Sequence, residues 1–126
     1  MPKKNIVYKI SSFAEGKNLT SETGTIPAIF EDNCIKYIID ETKNIYNLEK
    51  NILTRENSTL KIVLQFIKDK KTEALVTAKD INKTVSMKLK TKGLFQDKNN
   101  LTVEYELERV VYKFSIEVKE WVFIMN

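Results

Sequence analysis

Histidine is absent from all 126 residues of this chain. That removes the Ser-His-Asp triad, the His-Glu-x-x-His zinc helix and the side chain whose ordinary pKa lies nearest neutrality. One cysteine, Cys34, excludes an internal disulfide and any Cys-based zinc site within one chain. With no imidazole to activate it, Cys34 reads as a small core residue rather than a nucleophile. The three glycines, Gly16, Gly24 and Gly93, stand far apart, so there is no phosphate-cradling loop and no dinucleotide fingerprint. Of 21 basic residues only Arg55 and Arg109 are arginine, which leaves few bidentate forks for phosphate or guanine. The longest apolar run, "WVFIM" at 121 to 125, falls well short of the roughly 18 residues that a membrane span requires. The opening "MPKKNIVYKI" is interrupted at Lys9 and does not read as a secretory leader, so the expected location is the cytoplasm.

What is present is ordinary globular composition, 42% hydrophobic and 30% charged, which predicts one domain over 1–126 with a packed core. Net charge is +4, yet the lysines form no cluster, and the densest piece, "KDKK" at 68 to 71, reads as a turn. A solvated Lys-rich surface is therefore expected, and a nucleic-acid face is not. The carboxylate pairs Glu31/Asp32 and Asp40/Glu41 are sequence neighbours, which in a strand sends their side chains to opposite faces. They are poor acid/base couples and better placed at turns or a rim. "DKNNLTVEYELE" echoes a calcium loop at Asp97, Asn99 and Glu108 but puts Thr102 where that loop needs glycine. No catalytic residue, metal ligand or cofactor is expected, and the chain is not expected to be an enzyme.

The last third is the most legible. Val85, Met87 and Leu89 alternate with Ser86, Lys88 and Lys90; Leu101, Val103, Tyr105 and Leu107 alternate with Thr102, Glu104 and Glu106; Val110, Tyr112, Phe114, Ile116 and Val118 alternate with Lys113, Ser115, Glu117 and Lys119. Period two over three successive runs predicts three half-buried strands. A two-residue turn at Glu108-Arg109 puts Leu107 and Val110 on the same face, although Glu-Arg is poor turn chemistry and suggests a bulge. The Lys row of the first run and the Glu row of the second are expected side by side on the outer face. Ile6, Tyr8 and Ile10 predict another strand near the start. Residues 31–55 and 58–78 fit a helical or a strand period; the preferred readings are a hairpin through Asp32-Asn33 and another turning at Asp69-Lys70-Lys71.

"KKNIVYKISS", "TGTIPAIFEDNCIKYIIDET" and "MKLKTKGLFQDKNNLTVEYELE" followed by "YKFSIEVKE" resemble, in order and spacing, the YwiB-like family of small bacterial proteins of unknown function. The likeness covers both ends of the chain and leaves 43 to 80 poorly aligned. It implies a calycin-like, lipocalin-type antiparallel barrel of eight strands and supplies no active site.

Together these readings predict an all-β, up-and-down barrel of about eight strands, with an α+β fold carrying a helix at 31–55 as the alternative. In a barrel, Tyr8, Phe30, Tyr37, Phe66, Tyr105, Tyr112 and Phe114 face inward, where they either fill the core or line a cavity for a small apolar or amphipathic ligand. A second function is an interaction protein that forms a homodimer through its C-terminal strand, with Trp121 and Phe123 at the contact. The third is a Lys-rich nucleic-acid-binding module, which requires the α+β alternative.

Overall fold

In the computed structural model, which describes residues 3–121, ten antiparallel strands close into a barrel. They are β1 (Lys3–Ala14), β2 (Lys17–Glu31), β3 (Cys34–Ile39), β4 (Thr42–Asn47), β5 (Ile52–Glu56), β6 (Leu60–Gln65), β7 (Lys71–Ala78), β8 (Lys83–Gln96), β9 (Asn100–Leu107) and β10 (Val110–Trp121). Each strand pairs with its neighbours in sequence, and β1 pairs with β10 to complete the ring. An even number of strands is what lets an up-and-down meander close antiparallel.

The expected number was about eight. The two additional strands come from 31–55, which folds as strands rather than the alternative helix because Asp40-Glu41 is itself a hairpin turn between β3 and β4. A third turn follows at 48–51, where Asn47 Oδ1 accepts from the amides of Glu49 and Lys50. The 58–78 stretch is likewise β6, a turn and β7, with Asp69 in that turn as the hairpin reading required.

With only one glycine at positive φ, Gly16, left-handed backbone falls to ten other described residues, Asp and Asn at six of them. Asp32-Asn33, Asp40-Glu41 and Glu108-Arg109 each hold both residues at positive φ, the requirement of a type I′ turn. That last pair forms no bulge: Leu107 lies opposite Val110 in an unbroken register. Asp and Asn tolerate this region because their short polar side chains bond locally, while Glu and Arg are held there at a cost of roughly 1–2 kcal/mol each.

Because the strands alternate in direction, the turns at 32–33, 48–51, 66–70 and 97–99 gather at one end, the base, and those at 15–16, 40–41, 57–59, 79–82 and 108–109 at the other, the mouth. The wall is uneven. Strands β3 to β6 are five or six residues long, whereas β1, β2, β8 and β10 run to 12–15. Irregularities at Asn5/Ile6, Ser12/Phe13 and Thr91/Gly93 bend the long strands around the ring. On the outside, Lys90 lies opposite Glu106, and Lys92, displaced by the bulge, reaches Glu106 at 3.0 Å. The Lys and Glu rows are therefore adjacent as expected.

One seam is incomplete. β2 pairs with β3 only from Ile29 to Glu31, opposite Cys34 to Lys36. Continuing that register would set Pro27 opposite Ile38, at a position whose N–H should point toward β3. Proline has no N–H to give, so the ladder stops there. From Lys17 to Ala28 the strand is held on the β1 side alone.

Candidate functional site

The interior divides into two storeys. At the base, Tyr46, Phe66 and Phe114 pack with Ile6, Leu64, Leu89, Val103 and Ile116, all fully or almost fully buried. Tyr46 stacks on Phe66 with centroids 6.3 Å apart and meets Phe114 edge-on at 5.9 Å; Phe66 lies 5.0 Å from Tyr105. Aromatic pairs at such separations each add about 0.5–1.5 kcal/mol beyond their buried area. The Tyr46 hydroxyl donates to Asn51 Oδ1 at 2.9 Å, so even this polar tip is satisfied. Burial pushes its phenol pKa well up. These side chains form a sealed floor.

Toward the mouth the filling thins, leaving a cavity of about 220 Å³. Tyr8 and Ile10 from β1, Tyr37 from β3, Asn44 from β4, Leu53 and Arg55 from β5, Tyr105 from β9, and Tyr112 and Phe114 from β10 line it. Tyr105 and Tyr112 stack at 5.2 Å on one side. Opposite, the register sets Tyr37 beside Asn44 and Asn44 beside Arg55, a cross-strand row facing inward. Asn44 is 3% exposed and donates through Nδ2 to the Thr42 carbonyl at 3.1 Å. Gly24 makes room on β2: a Cβ there would stand 2.7 Å from Cε1 and Oη of the Tyr8 ring. That ring lies over the glycine and its hydroxyl donates to Glu22 Oε1 at 3.1 Å.

Arg55 sets the electrostatics of this storey. Its Nε is buried, and among the described residues it has no hydrogen-bond partner and no carboxylate forms an ion pair with Arg55. Among the described residues no Asp or Glu lines the cavity. Burial pushes the Tyr37 phenol up to about 12 against the opposing pull of the Arg55 guanidinium, and the Tyr105 phenol shifts upward for the same reasons. Both tyrosines therefore keep their protons at neutral pH and present hydroxyl donors to the space that Arg55 enters.

Of the seven aromatic residues expected inside, Tyr8, Tyr37, Tyr105, Tyr112 and Phe114 surround the cavity. Phe66 belongs to the floor beneath it. Phe30 lies at the base, with Lys4 Nζ 4.9 Å above its ring, because it comes just before the Asp32-Asn33 turn and so sits at the wrong end of β2. Arg55 is the residue that sequence reasoning missed: counted among scarce arginines, it shares the inward parity of Leu53 and could have been found by that alternation. The side chain of Trp121 and the whole of Phe123 lie outside the described residues. Asp97 caps its own turn, accepting from the amides of Asn99 and Asn100, and these bonds, that of Asn99 foremost, hold its carboxyl below the usual range.

A second hollow, of about 480 Å³, lies along the incomplete seam between Ile26–Ala28 on β2 and Tyr37–Ile38 on β3, extended by Ile45 and flanked by Lys3, Lys36 and Lys43. Tyr37 and Asn44 border both hollows, so the seam lies directly against the wall of the inner one.

Among solved structures, this chain is similar to the crystal structure of the YwiB protein from Bacillus subtilis, with a TM-score of 0.68 over 94% of this chain and 92% of that one. The two chains share a fold. At 14% sequence identity the likeness extends to architecture alone. No protein-family model matches this chain, and no curated protein matches it.

Proposed function

We propose that this barrel is a binding module that takes a small amphipathic ligand through its mouth. The observation that carries the reading is the contrast in filling: a close-packed aromatic floor beneath a cavity of about 220 Å³. Proteins fill an interior that has only to be stable, since every void forfeits contacts. The volume is below the roughly 300–1,000 Å³ of drug-sized sites, so the ligand is small; at about 30 Å³ of liquid per water, the space equals about seven waters. Its lining supplies tyrosine and aliphatic faces for an apolar body and a few polar tips for orientation. Binding is favoured over catalysis because the lining holds no nucleophile with a partner base and no pair of carboxylates. A single free thiol, Cys34, accords with a reducing, cytoplasmic setting.

The test is titration of the isotopically labelled protein with benzyl alcohol, a neutral ring-sized probe. Chemical-shift changes are expected at Tyr37, Leu53, Tyr105 and Phe114, and Leu53→Trp, which fills the space, is expected to abolish them. Changes scattered over the outer surface, or none, would refute a ligand site inside the barrel.

A further inference from the structure

The lining of the cavity includes a half-buried cation, Arg55, which has no carboxylate beside it among the described residues. A guanidinium inside a low-dielectric wall is costly unless it is paired, and natural interiors supply a carboxylate or a ring of carbonyls for that purpose. Arg55 has neither: its buried Nε makes no hydrogen bond, and none of the four ion pairs among the described residues includes it. Nor is Arg55 needed to complete the surrounding network. Asn44, its cross-strand neighbour, donates to a backbone carbonyl, and Tyr8 is engaged by Glu22. The hydroxyls of Tyr37 and Tyr105 have no hydrogen bond among the described residues and border the same space. An unpaired fork of donors beside two free hydroxyls is a set of groups arranged around an absent acceptor.

We propose that the ligand is a small carboxylate with a planar apolar body, its carboxylate held by the Arg55 guanidinium and the Tyr37 and Tyr105 hydroxyls, its body against Phe114 and Tyr112. The inference rests on the reading of the cavity as a ligand site and specifies what enters it. A carboxylate fits because guanidinium and carboxylate match as two parallel hydrogen bonds. A single negative charge fits because Arg55, half-buried with its Nε fully so, is the cation set inside the site, whereas Lys113, the other cation of the lining, is exposed to water; a dianion would bring a second charge with no partner inside. A flat body fits because tyrosine and phenylalanine rings form most of the walls, and a volume of about 220 Å³ limits it to one ring.

Isothermal titration calorimetry of the whole chain with benzoate, benzamide and benzyl alcohol separates the possibilities. Wild-type protein is expected to bind benzoate at least tenfold more tightly than its uncharged isostere benzamide. Arg55→Met should abolish that preference, with benzoate falling to the affinity of benzamide, and Arg55→Lys, which keeps the charge and loses the fork, should fall between. Without ligand, Arg55→Met should melt no lower than wild type, since it removes an uncompensated charge and leaves no partner stranded. If wild type binds benzyl alcohol but takes benzoate no better than benzamide, the carboxylate inference is wrong and the ligand site stands. If it binds none of the three, both readings fall. A variant that melts several degrees lower yet keeps the benzoate preference would show Arg55 to be structural and overturn the inference.

Discussion

The base and the mouth of this barrel are built from the same ten strands with the same alternation, yet one end is solid and the other hollow. At the base, Phe66 and Tyr46 project into the axis and meet Phe114, with Leu64, Leu89 and Val103 closing the gaps. Toward the mouth the corresponding inward positions are Asn44 and Arg55, whose polar ends cannot pack in the same way, and Tyr8, which folds back over Gly24 rather than across the axis. A barrel of this size has more interior than its aliphatic side chains fill, so where large rings stop converging a cavity remains. Residue choice at the inward positions, rather than the fold, decides which end is which.

The largest expected effect lies in the floor. Phe66→Ala should cost about 3–5 kcal/mol in urea unfolding, the range for deleting a fully buried aromatic ring. Tyr112→Ala, at the half-buried mouth, should cost only about 1–2 kcal/mol, because it loses one stacked pair and part of its burial. Equal costs at the two sites would erase the distinction between a stabilising floor and a functional cavity.

Alkaline unfolding should come next in size. The folded-state pKa of Tyr37 is raised to about 12 from an ordinary 10.0, so its contribution to stability is fully present below pH 10 and is lost as pH rises toward 12. A shift of that size corresponds to about 2–3 kcal/mol at most, and Tyr46 and Tyr105 move in the same direction. Stability followed by circular dichroism should therefore stay level on this account to about pH 10 and then fall. Arg55→Met should move the Tyr37 titration higher still, since it removes the pull of the cation; an unchanged titration would place Arg55 away from the tyrosines.

The smallest effect concerns Gly24→Ala. The new methyl meets the far edge of the Tyr8 ring, which has the cavity to move into, so the cost should be about 1 kcal/mol, at the lower end for overpacking. The displaced ring should nevertheless reduce the affinity for benzyl alcohol severalfold. A loss of stability with no change in binding would mean that Tyr8 does not bound the ligand's space.

Much of this was readable from the residues. The alternations through Val85–Leu89, Leu101–Leu107 and Val110–Val118 give β8, β9 and β10 and their inward faces, and the Asp32-Asn33 turn sits between β2 and β3 as expected. Asp40-Glu41 was harder, because Glu is a poor residue for positive φ and the pair reads equally as two solvated carboxylates. Missing that turn and the next one, at 48–51, leaves about eight strands in place of ten. The division of the inward aromatic residues between floor and cavity was not legible at all. Phe66 and Tyr105 are both aromatic and share the inward parity, and their different surroundings depend on how far each lies from its turn and which strands stand opposite.

By itself, then, the sequence determined an all-β fold, the inward set of residues and the exclusion of histidine-based and cysteine-ligated chemistry, because side-chain alternation and composition are local properties of the chain. Only the tertiary structure decided the closure of β1 on β10, the interruption of the β2–β3 seam at Pro27 and the meeting of Arg55, Tyr37 and Tyr105 around one space. These three depend on register between strands distant along the chain, and no window of residues contains them.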